Sequence, residues 1–398
     1  MKDKNAEEWY ERGFSCQIPH LRVRYFTRAI EADASYLEAF YQRGLTFHEM
    51  DHYSEAIEDY SRVIEADPTD FHAWYSRAIT FNTLKKYENV LRDIERAITI
   101  YPEFTDSYLY RGLAYYYLEQ YQKSIDDYTV VLKQDKTNVT AYINRGAAYD
   151  ALEAYNQALE DYGQAVFLDP LSFHSYFNRG ITYYNLGEYA SAADDLTKAL
   201  TIESDSDRAY YYRGIVWQQL GEEDAALDDL CIAIELNPGY TEAFYQRAAL
   251  YLSREQYSRA LSDLNIYITD FPKNGMAYCL RGQCHFFLKD YKTALQDFNM
   301  AVRTDPALSE AYYFRAAVYT ELGRDQAALS DAKLALQLDP DASAVFDSSL
   351  EMALSSQKPD PNQVSRQELI TRLENAEAEI ARLSRLYRGI LGRISRIA

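Results

Sequence analysis

Arg43 and Asp59 stand sixteen residues apart in the stretch FYQRGLTFHEMDHYSEAIEDY, residues 40–60, each inside an apolar helical pattern. A charged side chain on the packing face of a helix needs a partner. The Arg is therefore a ligand-binding group, a catalytic group or a member of the scaffold. Other reactive types are sparse. Cys279, Cys284 and His285 lie close in sequence, but no second ligand pair stands near them, and they read as small core residues rather than a metal site. Cys16 and Cys231 are isolated, so the four cysteines are no disulfide framework and suit a reducing compartment. His20, His48, His52, His72 and His174 have no metal-like pairing, and there is no nucleophile–base set or phosphate loop. The expectation is a protein that is not an enzyme and uses no cofactor and no metal.

Composition narrows the classes further. The 398 residues carry a net charge of −20, which repels phosphate backbones and argues against nucleic acid as a partner. Hydrophobic residues make up 47% and Tyr alone numbers 38, while Gly (15) and Pro (10) are few, which favours helix. The polar start, MKDKNAEEWYERG, has no signal-peptide core, and no apolar run reaches the ~18 residues of a membrane span. A cytoplasmic location is expected.

The Arg is one of a ladder. Arg followed by Gly or Ala recurs at Arg43, Arg77, Arg111, Arg145, Arg179, Arg213, Arg247, Arg281 and Arg315, always 34 residues apart. An Asp follows each at sixteen residues: Asp59, Asp93, Asp127, Asp161, Asp195, Asp229, Asp263, Asp297 and Asp331. Arg12 precedes the series by 31, so the first unit has lost three residues, and Tyr25 takes the place of its Asp. Ten units begin near Ala6, Leu37, Phe71, Thr105, Val139, Phe173, Asp207, Thr241, Gly275 and Ser309 and end near Ala342. Each reads as two helices. In the first, an aromatic stands four residues before the small residue and another three after it, as Phe40, Gly44 and Phe47. A turn follows, with Gly187, Gly221 or Gly323 suited to a helix C-cap. The second helix carries Ala56, Tyr60 and Val63 and stops near Pro68.

Period, order and residue types together resemble the tetratricopeptide repeat family over about residues 6–342. Arg stands consistently where that family usually has Leu before the Gly. The resemblance implies an all-α solenoid, a right-handed superhelix of antiparallel helix pairs with the first helices lining a concave face that binds protein or peptide. The expected organisation is a ten-repeat solenoid over 1–342, a capping helix over 343–356, a linker over 357–363 and a separate amphipathic, coiled-coil-like helix over 364–398.

Helical geometry places the ladders. Arg43 lies one turn from Phe40 and from Phe47, beside the packing stripe, and Asp59 lies one turn from Ala56 and Val63. Both point into helix contacts, so they should pair and set the stack. A second helix is sandwiched between two first helices. The expected partner of each Asp is the Arg of the following repeat, Asp59 with Arg77, and pairing inside one repeat is the alternative. The open face of the first helices should carry the residues two before and five after each Arg. These include Tyr41, Tyr75, Tyr116, Phe177, Tyr184, Tyr211, Tyr245, Phe286 and Tyr313, which either pack between repeats or form an aromatic, hydroxyl-bearing groove. Some relatives in the resembled family clamp a terminal carboxylate there with Lys and Asn; this chain has aromatic and aliphatic residues instead. A basic or amphipathic protein segment fits better.

At the end of the chain, Leu369, Leu373, Ala376, Ile380, Leu383, Tyr387, Ile390, Ile394 and Ile397 follow coiled-coil spacing, and the tail holds seven Arg against four Glu. Three readings stay open for it. Leu373, Ile380, Leu383, Tyr387, Ile390 and Ile394 could join copies into a homo-oligomer. The stripe could pack onto the repeats and occupy the groove, as in a regulatory subunit. The tail could also lie on an anionic membrane. The functional expectation is a scaffold that binds a peptide or helical segment.

Overall fold

The computed structural model describes residues 6–339, and among them every regular element is an α-helix. The described residues divide into two compact units, 6–186 and 187–339. The first unit holds α1 (Ala6–Phe14), α2 (Pro19–Ala32), α3 (Leu37–Glu49), α4 (Tyr53–Ala66), α5 (Phe71–Thr83), α6 (Tyr87–Ile100), α7 (Thr105–Tyr117), α8 (Tyr121–Gln134), α9 (Val139–Ala151), α10 (Tyr155–Leu168) and α11 (Phe173–Asn185). The second holds α12 (Tyr189–Ile202), α13 (Asp207–Leu220), α14 (Glu223–Leu236), α15 (Thr241–Ser253), α16 (Tyr257–Asp270), α17 (Gly275–Phe287), α18 (Tyr291–Thr304), α19 (Ser309–Glu321) and α20 (Asp325–Leu338). The first helix of each repeat begins at the residue that the 34-residue period marks. The capping helix, linker and amphipathic tail expected beyond residue 342 lie outside the described residues.

Local chemistry starts and stops these helices. Asp70, Asn138 and Asn274 accept the backbone N–H three residues on, at 2.8, 2.9 and 3.0 Å, and so cap α5, α9 and α17. The hairpin turn needs a left-handed residue at one fixed place. Gly187, Gly221 and Gly323 take it at φ 78°, 83° and 67°, while Asp51, Lys85, Glu119, Glu153, Glu255 and Lys289 adopt it at φ 56–64°. Six non-glycine residues in this conformation show that the hairpin contacts outweigh a local cost of about 1 kcal/mol each.

Within each unit a second helix packs on its own first helix and on the next one: α4 on α3 and α5, α16 on α15 and α17. The small residue of the first helix sits under a side chain of the second. A Cβ on Gly44, Gly112, Gly146 or Gly282 would stand 2.7–2.9 Å from the ring of Tyr60, Tyr128, Tyr162 or Phe298. Where Ala replaces that Gly, at Ala78 and Ala248, the facing residue is a branched aliphatic, Ile94 or Leu264, with all four fully buried. In these six repeats a larger residue on one side meets a smaller one on the other, as a close-packed interior requires, whereas Gly214 faces the smaller Leu230. First helices of neighbouring repeats also touch, α3 with α5, α5 with α7 and α7 with α9, and likewise α15 with α17 and α17 with α19. Their common side forms one face of each unit.

Candidate protein-binding face

The ladder is internal to the repeat. Arg43 donates from Nε and Nη2 to the two oxygens of Asp59, at 2.8 and 2.7 Å. Seven further pairs do the same at 2.6–2.9 Å: Arg77–Asp93, Arg111–Asp127, Arg145–Asp161, Arg213–Asp229, Arg247–Asp263, Arg281–Asp297 and Arg315–Asp331. This corrects the expectation that Asp59 meets Arg77. The physical reason is angular. Arg77 does reach α4, but through Nη1 to Ser61 Oγ at 2.8 Å. Ser61 and Asp59 are about 200° apart around the helix, so Asp59 faces back to α3 while Ser61 faces forward to α5.

The same second contact recurs. Arg43 reaches Thr27, Arg145 reaches Thr129, Arg213 reaches Thr197, Arg281 reaches Asn265 and Arg315 reaches Asn299, each sixteen residues back, at 2.8–3.2 Å. Each of these Arg side chains thus ties its own second helix and the preceding one together. The guanidinium also stacks beside aromatics: Arg43 Cζ lies 5.5 Å from the Phe40 ring and 5.8 Å from the Phe47 ring. Burial lifts the Asp127 carboxyl above its ordinary value, and the Arg111 hydrogen bonds pull it back. Those hydrogen bonds push the Arg111 guanidinium further up. With two bonds at 2.7 and 2.8 Å, the charged pair is the state this geometry describes. The small polar column of Thr27, Ser61, Thr129 and Thr197, two residues after each Asp in the later repeats, was readable in the sequence and marks the forward face.

The aromatic rows fall on the first-helix side. Tyr41, Tyr75, Tyr116, Tyr184, Tyr211, Tyr245, Phe286 and Tyr313 are all half-buried. Phe177 differs: it is 6% exposed and stacked on Phe173, so it belongs to the packed layer and offers no surface. Tyr41 packs its ring near Tyr60 and His72 and shares a 3.1 Å hydrogen bond with Ser76 of the next first helix. Tyr75 meets Phe71, Phe104 and Tyr110, with centroids 5.0–5.8 Å away. Tyr211 meets Tyr240 at 4.7 Å, Tyr245 meets Tyr267 at 4.7 Å, and Phe286 meets Tyr291 at 5.8 Å. Each ring packs on one side and keeps part of its surface in solvent. Burial raises the hydroxyl pKa of Tyr41, Tyr75, Tyr116 and Tyr245, so they stay protonated donors at neutral pH.

Polar groups interrupt these rows in the first unit. His48, five after Arg43, shares a 2.9 Å bond with Thr80, and burial lowers its pKa, which keeps it neutral. Asp150, five after Arg145, accepts from Tyr162 and Thr182 at 2.8 Å, and burial raises its pKa. Cys279 and Cys284 are fully buried, and the four cysteines are free. Among the described residues no three His, Cys, Asp or Glu side chains converge on a metal position, and no helix is long and apolar enough to cross a membrane.

Models of one family match along this architecture. The tetratricopeptide repeat description fits residues 37–70, 139–170, 173–206, 245–309 and 309–342. The chain belongs to the tetratricopeptide repeat family. No match was found among curated proteins. The APC/C hetero-tetramer Cut9–Hcn1 is similar over 88% of this chain and 76% of that one, at 15% identity and a TM-score of 0.50. Pseudomonas aeruginosa pilF is similar over 54% of this chain and 97% of its own, at 20% identity and a TM-score of 0.50. YrrB, described as a tetratricopeptide repeat protein with an unusual peptide-binding site, has 25% identity over 46% of this chain and 95% of its own, with a TM-score of 0.42. A tetratricopeptide repeat stack is a protein-interaction scaffold, and the ladder here is part of its framework.

Proposed function

We propose that this tetratricopeptide repeat chain binds a basic or amphipathic protein segment along the first-helix face. The observation that carries this reading is the set of half-buried rings on the first-helix side: Tyr41, Tyr75, Tyr211, Tyr245 and Tyr313 two before the ladder Arg, and Tyr116, Tyr184 and Phe286 five after it. Rings held by packing lose little entropy when a ligand covers them. The net charge of −20 favours a cationic partner. Each Arg of the eight pairs described above is already engaged by an Asp, which removes it as a contact for an acidic ligand.

The test is site-specific photo-crosslinking of the full chain in cell extract. Benzoylphenylalanine at Tyr75 or Tyr245 should give discrete protein adducts. The same group at Arg62, exposed on the second helix α4, should not. Adducts only from Arg62 would overturn the reading. We also assign self-association to the tail seam of Leu373, Ile380, Leu383, Tyr387, Ile390 and Ile394, which lies outside the described residues. A monomer mass in light scattering would refute that assignment.

A further inference from the structure

The repeat lets each position be compared with its equivalents, and one place breaks the pattern in chemistry as well as in shape. Two residues after each ladder Arg, the first helix carries Leu45, Ile79, Leu113, Ala147, Ile181, Ile215, Ala249, Gln283 and Ala317. Eight are aliphatic and one is an amide. Gln283 is 0% exposed, where an unbonded amide would cost about 1–3 kcal/mol. Its Nε2 donates to Glu310 Oε1 at 2.9 Å and lies 3.5 Å from Cys279 Sγ. Cys279 stands where other repeats have Tyr, Phe, Leu or Ile.

Glu310 sits in the first turn of α19, on the same face as the aromatic rows. Its side chain is set among packed groups, yet part of its surface remains in solvent. Burial raises its pKa and the Gln283 amide lowers it. Among the described residues no Lys, Arg or His pairs with this carboxylate, and its single hydrogen bond comes from a neutral donor. Glu242, the equivalent residue two repeats earlier, is exposed, and Ile215 stands where Gln283 would support it. Tyr245 and Tyr313 pack against the same core cluster as Cys279, and the Tyr245 hydroxyl feels the Glu310 charge. A carboxylate oriented by a buried amide and bonded to no cation of its own can accept N–H bonds from a positively charged group.

We propose that Glu310, positioned by Gln283, receives the guanidinium or ammonium of one basic side chain in the bound partner segment. This rests on the groove reading above and adds its charge specificity. The site gives the partner a register, because among the described residues only this repeat offers such an amide–carboxylate pair.

The test uses the full chain and labelled peptides of sequence Leu-Ala-X-Ala-Leu, with X as Arg, Lys or citrulline, in fluorescence anisotropy at low salt. The Arg or Lys peptide should bind at least about tenfold tighter than the neutral citrulline peptide, a difference of about 1.4 kcal/mol. Glu310→Gln, nearly isosteric, should abolish that difference, and Glu242→Gln should keep it. Gln283→Leu restores the aliphatic column and removes the donor that opposes the burial-raised pKa of the carboxyl. Binding of the Arg peptide should then fail at a higher pH than in the parent, a shift that loss of packing alone would not produce. The proposal is overturned if all three peptides bind alike, if none binds, or if Glu310→Gln retains the preference. It is also overturned if only a chain whose seven tail Arg are changed to Gln binds the Arg peptide, which would give the site to the chain's own C-terminus. If crosslinks still arise at Tyr75 and Tyr245 while Glu310→Gln changes nothing, the groove reading stands and this inference alone falls.

Discussion

Replacing Asp93 by Ala removes a fully buried carboxylate from beneath Arg77, whose side chain is 14% exposed. The guanidinium loses the acceptor of two bonds at 2.7 and 2.9 Å and keeps Ser61 at 2.8 Å and the Trp74 ring at 4.9 Å. Orphaning one partner of a buried pair costs about 3–5 kcal/mol. The surviving contacts and the residual exposure of Arg77 place the expected loss near the lower end, about 3 kcal/mol. In a repeat stack that loss is local, because each repeat touches only its neighbours. Hydrogen exchange on the full chain should therefore show faster exchange in α5 and α6, the two helices the pair joins, with smaller effects in α7. Changing both residues, Arg77→Leu with Asp93→Val, removes the charges together while keeping the total side-chain volume close to the parent's. It should return stability to within about 1.5 kcal/mol of the parent. Asp93→Ala costing less than about 1 kcal/mol, or the double change costing as much as the single one, would refute a mutually dependent buried pair. Faster exchange confined to α7 would revive pairing between repeats.

Gly146→Ala drives a Cβ to 2.7 Å from the Tyr162 ring, and both groups are buried, so a loss of about 1–3 kcal/mol in urea unfolding is expected; adding Tyr162→Leu should recover much of it, as the Ala248 and Leu264 pair already does. Burial lifts the Asp150 carboxyl in the fold above its unfolded value, so the stability it contributes is complete below the unfolded pKa and is lost as pH rises through the folded one. Asp150→Asn should accordingly raise Tm at neutral pH, with the advantage shrinking on acidification, and a constant advantage at all pH would contradict a titrating group. Glu153 holds φ +57° in the α9–α10 turn, and Glu153→Gly should stabilise by up to about 1 kcal/mol, read as a rise in the urea midpoint.

Much of the architecture was legible because the signal repeats. A single Arg-Gly in a helical pattern is ambiguous, whereas nine at 34-residue spacing, each with an Asp at sixteen, admit only a stacked unit. Helix starts from Leu37 to Ser309 follow from that period alone. The turn was half legible: Gly187, Gly221 and Gly323 announced a left-handed residue, but Lys85 and Glu119 in the same conformation carry no such mark. The candidate face was also half legible. Spacing put Tyr41 and Tyr75 on the correct side, yet it could not tell a half-buried ring from Phe177, which the packing encloses.

Residue order by itself determined the fold class, the repeat boundaries, the Arg and Asp columns and the side of the helix each occupies, because all of these are periodicities along one chain. Tertiary structure alone decided which Asp each Arg meets. Asp59 and Ser61 are two residues apart in sequence, but the helix turns them to opposite neighbours, and only the packing of α4 between α3 and α5 assigns one to each. It also decided that Gln283 serves Glu310 in the following repeat, since a contact between residues 27 positions apart in one repeat pair has no periodic signature.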